Sequence, residues 1–263
     1  MSYHQARKRF AQHFLIDPFM IEKIVQALLP KPHEHLIEIG GGLGALTFPV
    51  LNHAKQLEVI EFDRDLAEKL KTHHQAGLVV HQADALHFDF AKLKNDNRSL
   101  RLFGNLPYNI ATPLIFHLLK YSDTITDMFF MFQKEVAHRL TAKIGTKDYS
   151  RLTIMVQYYC DVKLLFHVPA SAFNPSPQVI SSMVHLTPYH PPPHVAQDPK
   201  LFANLVKQAF LHRRKTLRNS LKGLIDDKAW SYIKVHSDLR PERLTVQDFV
   251  EMCNVMSKQR INE

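Results

Sequence analysis

Cysteine is nearly absent: Cys160 and Cys253 are the only two among 263 residues. That scarcity excludes a disulfide framework and a Cys-x-x-Cys zinc site, and it points to a reducing compartment. Apolar runs of bilayer length are missing as well, so no membrane-spanning helix is expected. The charged start, Met1 to Arg9, is not followed by the apolar core of a signal peptide, and a cytoplasmic location is expected. Acidic residues are in deficit. Against 33 Lys and Arg stand 25 Asp and Glu, a formal net charge of +8. Such a balance favours a polyanionic partner, nucleic acid before membrane. Histidine is abundant, with 17 copies, but His73-His74 and the pair His190 and His194 have no carboxylates or cysteines at ligand spacing. No metal site is expected from them.

What is present is 45% hydrophobic, enough for one large core or a core with a small appendage. Asp17-Pro18 starts a helix as a cap followed by proline at the first turn; Ile21, Ile24, Val25, Leu28 and Leu29 repeat at helical spacing until Pro30. Short apolar strands are expected at 36–39, 57–61, 78–81, 101–105 and 128–132, with helices at 43–53, from Asp63 to about His74, and from Thr112-Pro113 onward. Strands alternating with helices predict an α/β fold whose parallel sheet is covered on both faces, with ligands at the carboxyl ends of the strands. A proline-rich linker occupies 189–199, separating a domain over 1–188 from a small all-helical domain over 200–263. In the latter, Asp198-Pro199 opens one helix, and Thr245 with Asp248 forms a capping box before the last.

Between the first strand and its helix lies Glu38-Ile39-Gly40-Gly41-Gly42-Leu43-Gly44. Glycines at 40, 42 and 44 let the backbone turn tightly and approach a ligand. The spacing is G-x-G-x-G after an acidic residue, not the G-x-G-x-x-G of dinucleotide folds. Glu61, ending the second strand, is placed to accept from two ribose hydroxyls, and Asp84, after the third, from an adenine amino group. Taken singly, Glu61 reads equally as a loop cap and Asp84 as a solvated turn carboxylate. In register at three consecutive strand ends, they point to S-adenosylmethionine.

The fourth strand opens into Asn105-Leu106-Pro107-Tyr108. Adenine N6 is a poor nucleophile because its lone pair is delocalised into the ring. Accepting both N6 hydrogens favours a pyramidal nitrogen with its lone pair free, and the Asn105 side-chain oxygen and Leu106 carbonyl are candidate acceptors. Pro107 stiffens the turn and removes a competing N–H. Tyr108 offers a ring for a base taken out of its helix. The sulfonium is a strong electrophile, so alignment supplies much of the rate and no strong base is required. Methyl transfer to a pyrimidine C5 needs a cysteine nucleophile. None is available, since Cys160 reads as core in the apolar-aromatic helix around Met155 and Tyr159, and Cys253 falls in the last helix.

Arg7, Lys8 and Arg9, and Arg213, Arg214, Lys215 and Arg218 with Lys222, form one-signed basic segments. Such charge binds RNA backbone by counterion release, without base specificity. RNA-loop specificity comes instead from shape and splayed bases.

Taken in order, these motifs, with Arg7 to Leu15, Glu61-Phe62-Asp63-Arg64, Gln133-Lys134-Glu135, Ser171 to Pro177 and Arg213 to Thr216, resemble the ribosomal RNA adenine-N6 dimethyltransferases over essentially the whole chain. The chain looks like the small-subunit enzymes, whose loss confers kasugamycin resistance. The resemblance implies a Rossmann-like methyltransferase domain and S-adenosylmethionine bound by His13, Leu15, Gly40, Glu61, Asp84 and Asn105. It implies two methyl groups on each of two adjacent adenosines in the 3′-terminal hairpin loop of 16S rRNA. The expected partner is that rRNA within immature 30S subunits, with a monomer as the default and an assembly-checkpoint role beside catalysis. It also implies that Phe173 stacks the target base opposite Tyr108; from the residues alone, Phe173 in its proline-stiffened loop reads equally as a core anchor. His13 stands where the family usually has asparagine, and Gly41 where proline is common, so altered cofactor affinity is expected. The related large-subunit methyltransferases of macrolide resistance are a second reading, disfavoured by the full helical domain and the Phe173 loop. A ribosome-assembly factor that binds immature small subunits as a checkpoint, with catalysis secondary, is a third, and it is compatible with the first.

Overall fold

The computed structural model describes residues 12–93, 98–212 and 214–261. By internal contacts the chain divides into two compact units: one runs up to Ala137 and resumes over Asp161–Pro188, and the other takes His138–Cys160 and everything from Tyr189.

The first unit is built on a sheet. Its elements are α1 (Pro18–Leu28), β2 (His35–Ile39), α2 (Thr47–Ala54), β3 (Leu57–Glu61), α3 (Arg64–Thr72), β4 (Leu78–Gln82), β5 (Leu100–Asn105), α4 (Tyr108–Leu118), β6 (Ile125–Gln133), β7 (Cys160–Val168) and β9 (Ser181–Pro188). A two-residue strand, β1 (Phe14–Leu15), precedes them and pairs antiparallel with β8 (Phe173–Asn174). The seven main strands run in the order β4-β3-β2-β5-β6-β9-β7. The pairs from β4 to β6 are parallel and β9 is antiparallel to β6. This is the Rossmann-like α/β arrangement, its parallel neighbours joined by helical crossovers.

The chain builds outward from β2 through β3 to β4, then returns to add β5 and β6 on the other side. The order therefore reverses between β2 and β5. Loops leaving their carboxyl ends diverge, and such a switch point leaves a crevice for a ligand. All five β2 residues are buried, as a central strand requires. At Gly104 of β5 a Cβ would lie 2.2 Å from the Ile39 carbonyl oxygen, so only glycine allows β5 this close to β2.

Local chemistry accounts for most boundaries. Asp17 accepts the Met20 N–H at 3.1 Å to cap α1, and Asp63 accepts that of Asp65 at 3.0 Å to cap α3. Two expectations shift. Helix α2 starts at Thr47 rather than Leu43, because residues 40–46 are spent on the glycine turn, closed by Gly44 N–H donating to the Gly41 carbonyl at 2.9 Å. Helix α4 starts at Tyr108, not at Thr112-Pro113, with Pro113 inside it. A turn is already formed before the proline, where Ile110 N–H donates to the Pro107 carbonyl at 3.1 Å. Cys160 is the first residue of β7 rather than part of the preceding helix, and it is buried.

The second unit is helical. It holds the end of α5 (Lys134–Leu140), then α6 (Arg151–Tyr159), α7 (Pro199–Ala209), α8 (Leu217–Ser220), α9 (Asp227–Tyr232) and α10 (Val246–Ile261). The boundary expected near residue 200 is corrected here. Six of the nine α6 residues are buried, so this helix needs partners on several faces, and it packs with α7 and α10. Residues 189–199 belong to the same unit: Ala196 N–H donates to the Tyr158 hydroxyl at 3.1 Å and Gln197 N–H to Asn254 Oδ1 at 2.8 Å. The capping box forms as expected, Thr245 N–H donating to Asp248 Oδ2 at 2.7 Å and Asp248 N–H to Thr245 Oγ1 at 3.1 Å. Among the described residues no helix is long and apolar enough to cross a membrane.

Candidate active site

A cavity of about 270 Å³ opens in the first unit at the carboxyl ends of β2, β3 and β5. The turn after β2 forms one wall. Gly40 and Gly42 have φ of +79° and +55°, a left-handed backbone that side chains rarely adopt. Gly40 faces the Asn105 carbonyl across the switch point, where an added Cβ would sit 3.7 Å away. Gly42 donates its N–H to Glu61 Oε2 at 2.9 Å, while Glu61 Oε1 accepts the Asp63 N–H at 2.9 Å. One carboxylate thus ties the glycine turn to the end of β3, and burial pushes it up from its ordinary value. Glu38, 1% exposed, lines the same cavity and accepts the Thr47 hydroxyl at 2.5 Å. Burial pushes its carboxyl up to about 8, against the pull of the Thr47 hydrogen bond, and Glu61 adds to the rise. Asp84 lines the cavity too, with Oδ1 accepting the Leu86 N–H at 2.9 Å and Oδ2 paired with His87 Nδ1 at 3.0 Å.

The opposite wall is the loop after β5, where Asn105, Leu106, Pro107 and Tyr108 all line the cavity. Asn105 Nδ2 donates to the His13 carbonyl at 3.0 Å. An amide fixed through its nitrogen offers Oδ1 as its acceptor. Tyr108, half-buried as the first residue of α4, shares a 2.7 Å hydrogen bond with Ser181 Oγ. Burial raises its phenol pKa, and Ser181 partly offsets the rise.

Of the residues expected to hold the cofactor, His13, Leu15, Glu38, Gly40, Gly42, Glu61, Asp84 and Asn105 all meet here. Gly44 does not: it lies beneath the Phe48 ring, where a Cβ would collide at 2.2 Å, and serves the packing of the turn. Phe173 does not line the cavity either. It is 3% exposed, pairs with Leu15 in the two-strand ribbon and packs with Leu15, Ile24 and Val168 in the core. Here its ring is held in that apolar cluster, as the anchor reading expects, where an aromatic side chain gains from burial. Sequence reasoning missed Gln12, Phe14 and Phe62, which line the cavity, and Ser181, which holds Tyr108. Phe62 carried a signal, an apolar ring at a strand end that is left 54% exposed. Ser181 carried none.

Of the basic residues, Arg214, Lys215, Arg218 and Lys222 are exposed in the second unit, with Arg218 paired to Asp227 at 2.5 Å. Arg7, Lys8, Arg9 and Arg213 lie outside the described residues.

The profile described as Ribosomal RNA adenine dimethylase matches residues 3–258. The chain belongs to this family. The chain is 49% identical over 253 residues to the Ribosomal RNA small subunit methyltransferase A of Vibrio vulnificus, covering 95% of this chain and 94% of that protein. A crystal structure of a dimethyladenosine transferase from Plasmodium falciparum superimposes with a TM-score of 0.78 at 27% identity, covering 94% of this chain and 98% of that one. The 23S rRNA methyltransferase ErmE shares the fold, with a TM-score of 0.69 at 22% identity over 93% of this chain and 99% of that one. The chain is thus an S-adenosylmethionine-dependent methyltransferase of ribosomal RNA. The cavity fits that cofactor: a glycine turn without side chains, carboxyl groups at three strand ends, and apolar walls from Leu15, Ile39, Phe62 and Leu86.

Proposed function

We propose that this protein adds two methyl groups to N6 of each of two adjacent adenosines in the 3′-terminal hairpin loop of small-subunit rRNA. The observation that carries the reading is the Asn105 amide, bonded through Nδ2 to the His13 carbonyl and lining the same cavity as the glycine turn and Glu61. The likeness to a small-subunit methyltransferase over 95% of the chain supports that subunit as the substrate.

In this reading Glu61 takes the ribose hydroxyls. Its two oxygens already accept one N–H each and keep further lone pairs. Asp84 takes the adenine amino group, while Gly40, Gly42, Glu38, His13 and Leu15 line the remainder of the cofactor site. When bound, the cofactor supplies an electrophilic methyl group on a sulfonium. Asn105 Oδ1 and the Leu106 carbonyl accept the two N6 hydrogens and aim the nitrogen lone pair. Tyr108 stacks the flipped base. The acidic product ammonium sheds its proton without a dedicated base. Arg214, Lys215 and Arg218, on the helical unit, contact RNA backbone in the immature 30S subunit. Binding and methyl transfer then reside on different units, which suits an assembly-checkpoint role alongside catalysis. A single chain carries every residue the reading uses, in keeping with a monomer, and the likeness to a small-subunit rRNA methyltransferase is in keeping with the cytoplasm.

The test is methyl transfer from labelled cofactor to immature small subunits, with the RNA digested to nucleosides. N6,N6-dimethyladenosine from the 3′-terminal hairpin is expected. Label in large-subunit RNA instead would move the assignment to that substrate, and tight subunit binding with no label would leave an assembly factor.

A further inference from the structure

His13 makes three separate connections around the acceptor loop. Its carbonyl receives Asn105 Nδ2 at 3.0 Å. Its ring stacks on that of Tyr108, with centroids 5.8 Å apart and planes inclined by 30°. Its Nδ1 lies 2.7 Å from the Pro175 carbonyl oxygen. A carbonyl only accepts, so Nδ1 carries the hydrogen and donates. From Pro175 the chain continues to Ser181, fully buried at the start of β9, whose Oγ bonds the Tyr108 hydroxyl at 2.7 Å. The circuit closes through the Asn105–Tyr108 loop itself. The ribbon beside it, Phe14 opposite Asn174 and Leu15 opposite Phe173, with Ile16 N–H donating to the Ala172 carbonyl at 2.8 Å, holds the His13 segment in place.

We propose that His13 and Ser181 are positioning residues that lock the Asn105 amide and the Tyr108 ring into one rigid acceptor site. Each connection removes a different freedom. The His13 carbonyl sets which end of the Asn105 amide is available to accept. Ser181 fixes the far end of the Tyr108 ring, and the His13 ring covers one of its faces, leaving the other for a base. Rigid alignment matters here because the reaction relies on orientation rather than on a strong base. The inference rests on the reading of Asn105 and Tyr108 as the groups that hold the target adenine. It adds that the segment around His13, far away in sequence, completes that site.

A double-mutant cycle tests it. Ser181→Ala and Tyr108→Phe remove the same hydrogen bond from its two sides. Each is expected to lower kcat on immature small subunits about tenfold, the double variant no further, with the KM for cofactor within about twofold. Ser181→Thr, which keeps a hydroxyl, is expected to recover most of the rate. His13→Ala is expected to lose more than His13→Asn, which keeps a donor for the Pro175 carbonyl but no ring. A second readout is the fluorescence of 2-aminopurine placed at the target position of the rRNA hairpin within reconstituted small subunits. Stacking on Tyr108 quenches it, and the quenching is expected to weaken in Ser181→Ala and His13→Ala. If Ser181→Ala melts early, Tyr108→Phe carries the test from the less buried side of the bond. Wild-type kcat and quenching in Ser181→Ala and His13→Ala, beside a Tyr108→Ala variant that loses both, would overturn the positioning roles alone. Wild-type behaviour of Tyr108→Ala would remove the acceptor-site reading, and the proposal with it.

Discussion

Glu61 accepts the Gly42 backbone N–H at 2.9 Å, so the carboxylate ending β3 is bonded directly to the turn that follows β2. The same group holds the Asp63 N–H at 2.9 Å. Glu61→Ala breaks both bonds, loosens the turn and removes the ribose acceptor. Hydrogen bonds to charged groups contribute about 1.5–3 kcal/mol each, so cofactor affinity is expected to fall about thirtyfold or more. Isothermal titration with S-adenosylmethionine reads this directly, and an affinity within threefold of wild type would contradict the assignment.

Glu38 links the cofactor wall to pH. Burial raises its carboxyl from an ordinary 4.5 to about 8 in the folded chain. The folded state then holds a proton that the unfolded state releases. The stability this confers is complete below about pH 4.5 and fades as pH rises through about 8. Glu38→Gln is neutral at every pH and lacks this dependence. Urea unfolding at pH 5, 6.5 and 8 is expected to show wild type losing more stability across the range than Glu38→Gln. Parallel curves would contradict the buried neutral carboxyl.

Gly104 tests the switch point. A Cβ there would meet the Ile39 carbonyl oxygen at 2.2 Å, a backbone atom that cannot swing aside. Gly104→Ala is expected to cost about 1–3 kcal/mol as β5 is pushed from β2, seen as a lower urea midpoint. Asn105, the next residue, would shift with it and lower activity further. An unchanged midpoint would mean the two strands are not held this close.

The helical unit's cations are read by salt. Replacing Arg214 and Lys215 with alanine is expected to weaken binding to small subunits and to reduce the salt slope by about one per lost phosphate contact. Arg218 is already paired with Asp227 at 2.5 Å, so Arg218→Ala is expected to change the slope less. An unchanged slope in the Arg214 and Lys215 variant would remove that segment from the RNA footprint.

The cofactor wall was legible in the sequence because its signals are local. A glycine turn, a carboxylate at a strand end and Asn-Leu-Pro-Tyr each mark themselves within a few residues, and parallel topology brings them to one edge. What was not legible depends on distant pairing. A two-residue ribbon such as β1 with β8 has too few residues to show any period, and it is what buries Phe173 and seats His13. Strands β7 and β9 carry no clear local mark; β7 alternates partly exposed positions at the sheet edge, and β9 is nearly all buried, which looks alike for helix and strand. Helix α6 resembled any other core helix, and its membership in the helical unit follows only from what packs against it. Ser181 acts through one hydroxyl 73 residues from Tyr108, a distance no local pattern spans.

The central claim, that the Asn105 amide activates the acceptor nitrogen, is tested most directly by Asn105→Ala under single-turnover conditions with immature small subunits and saturating cofactor. The rate of methyl transfer is expected to fall about a hundredfold or more, as for loss of one preorganised polar group at a reacting centre, while subunit binding stays within about threefold. A rate within a few fold of wild type in a variant that binds both substrates would contradict it.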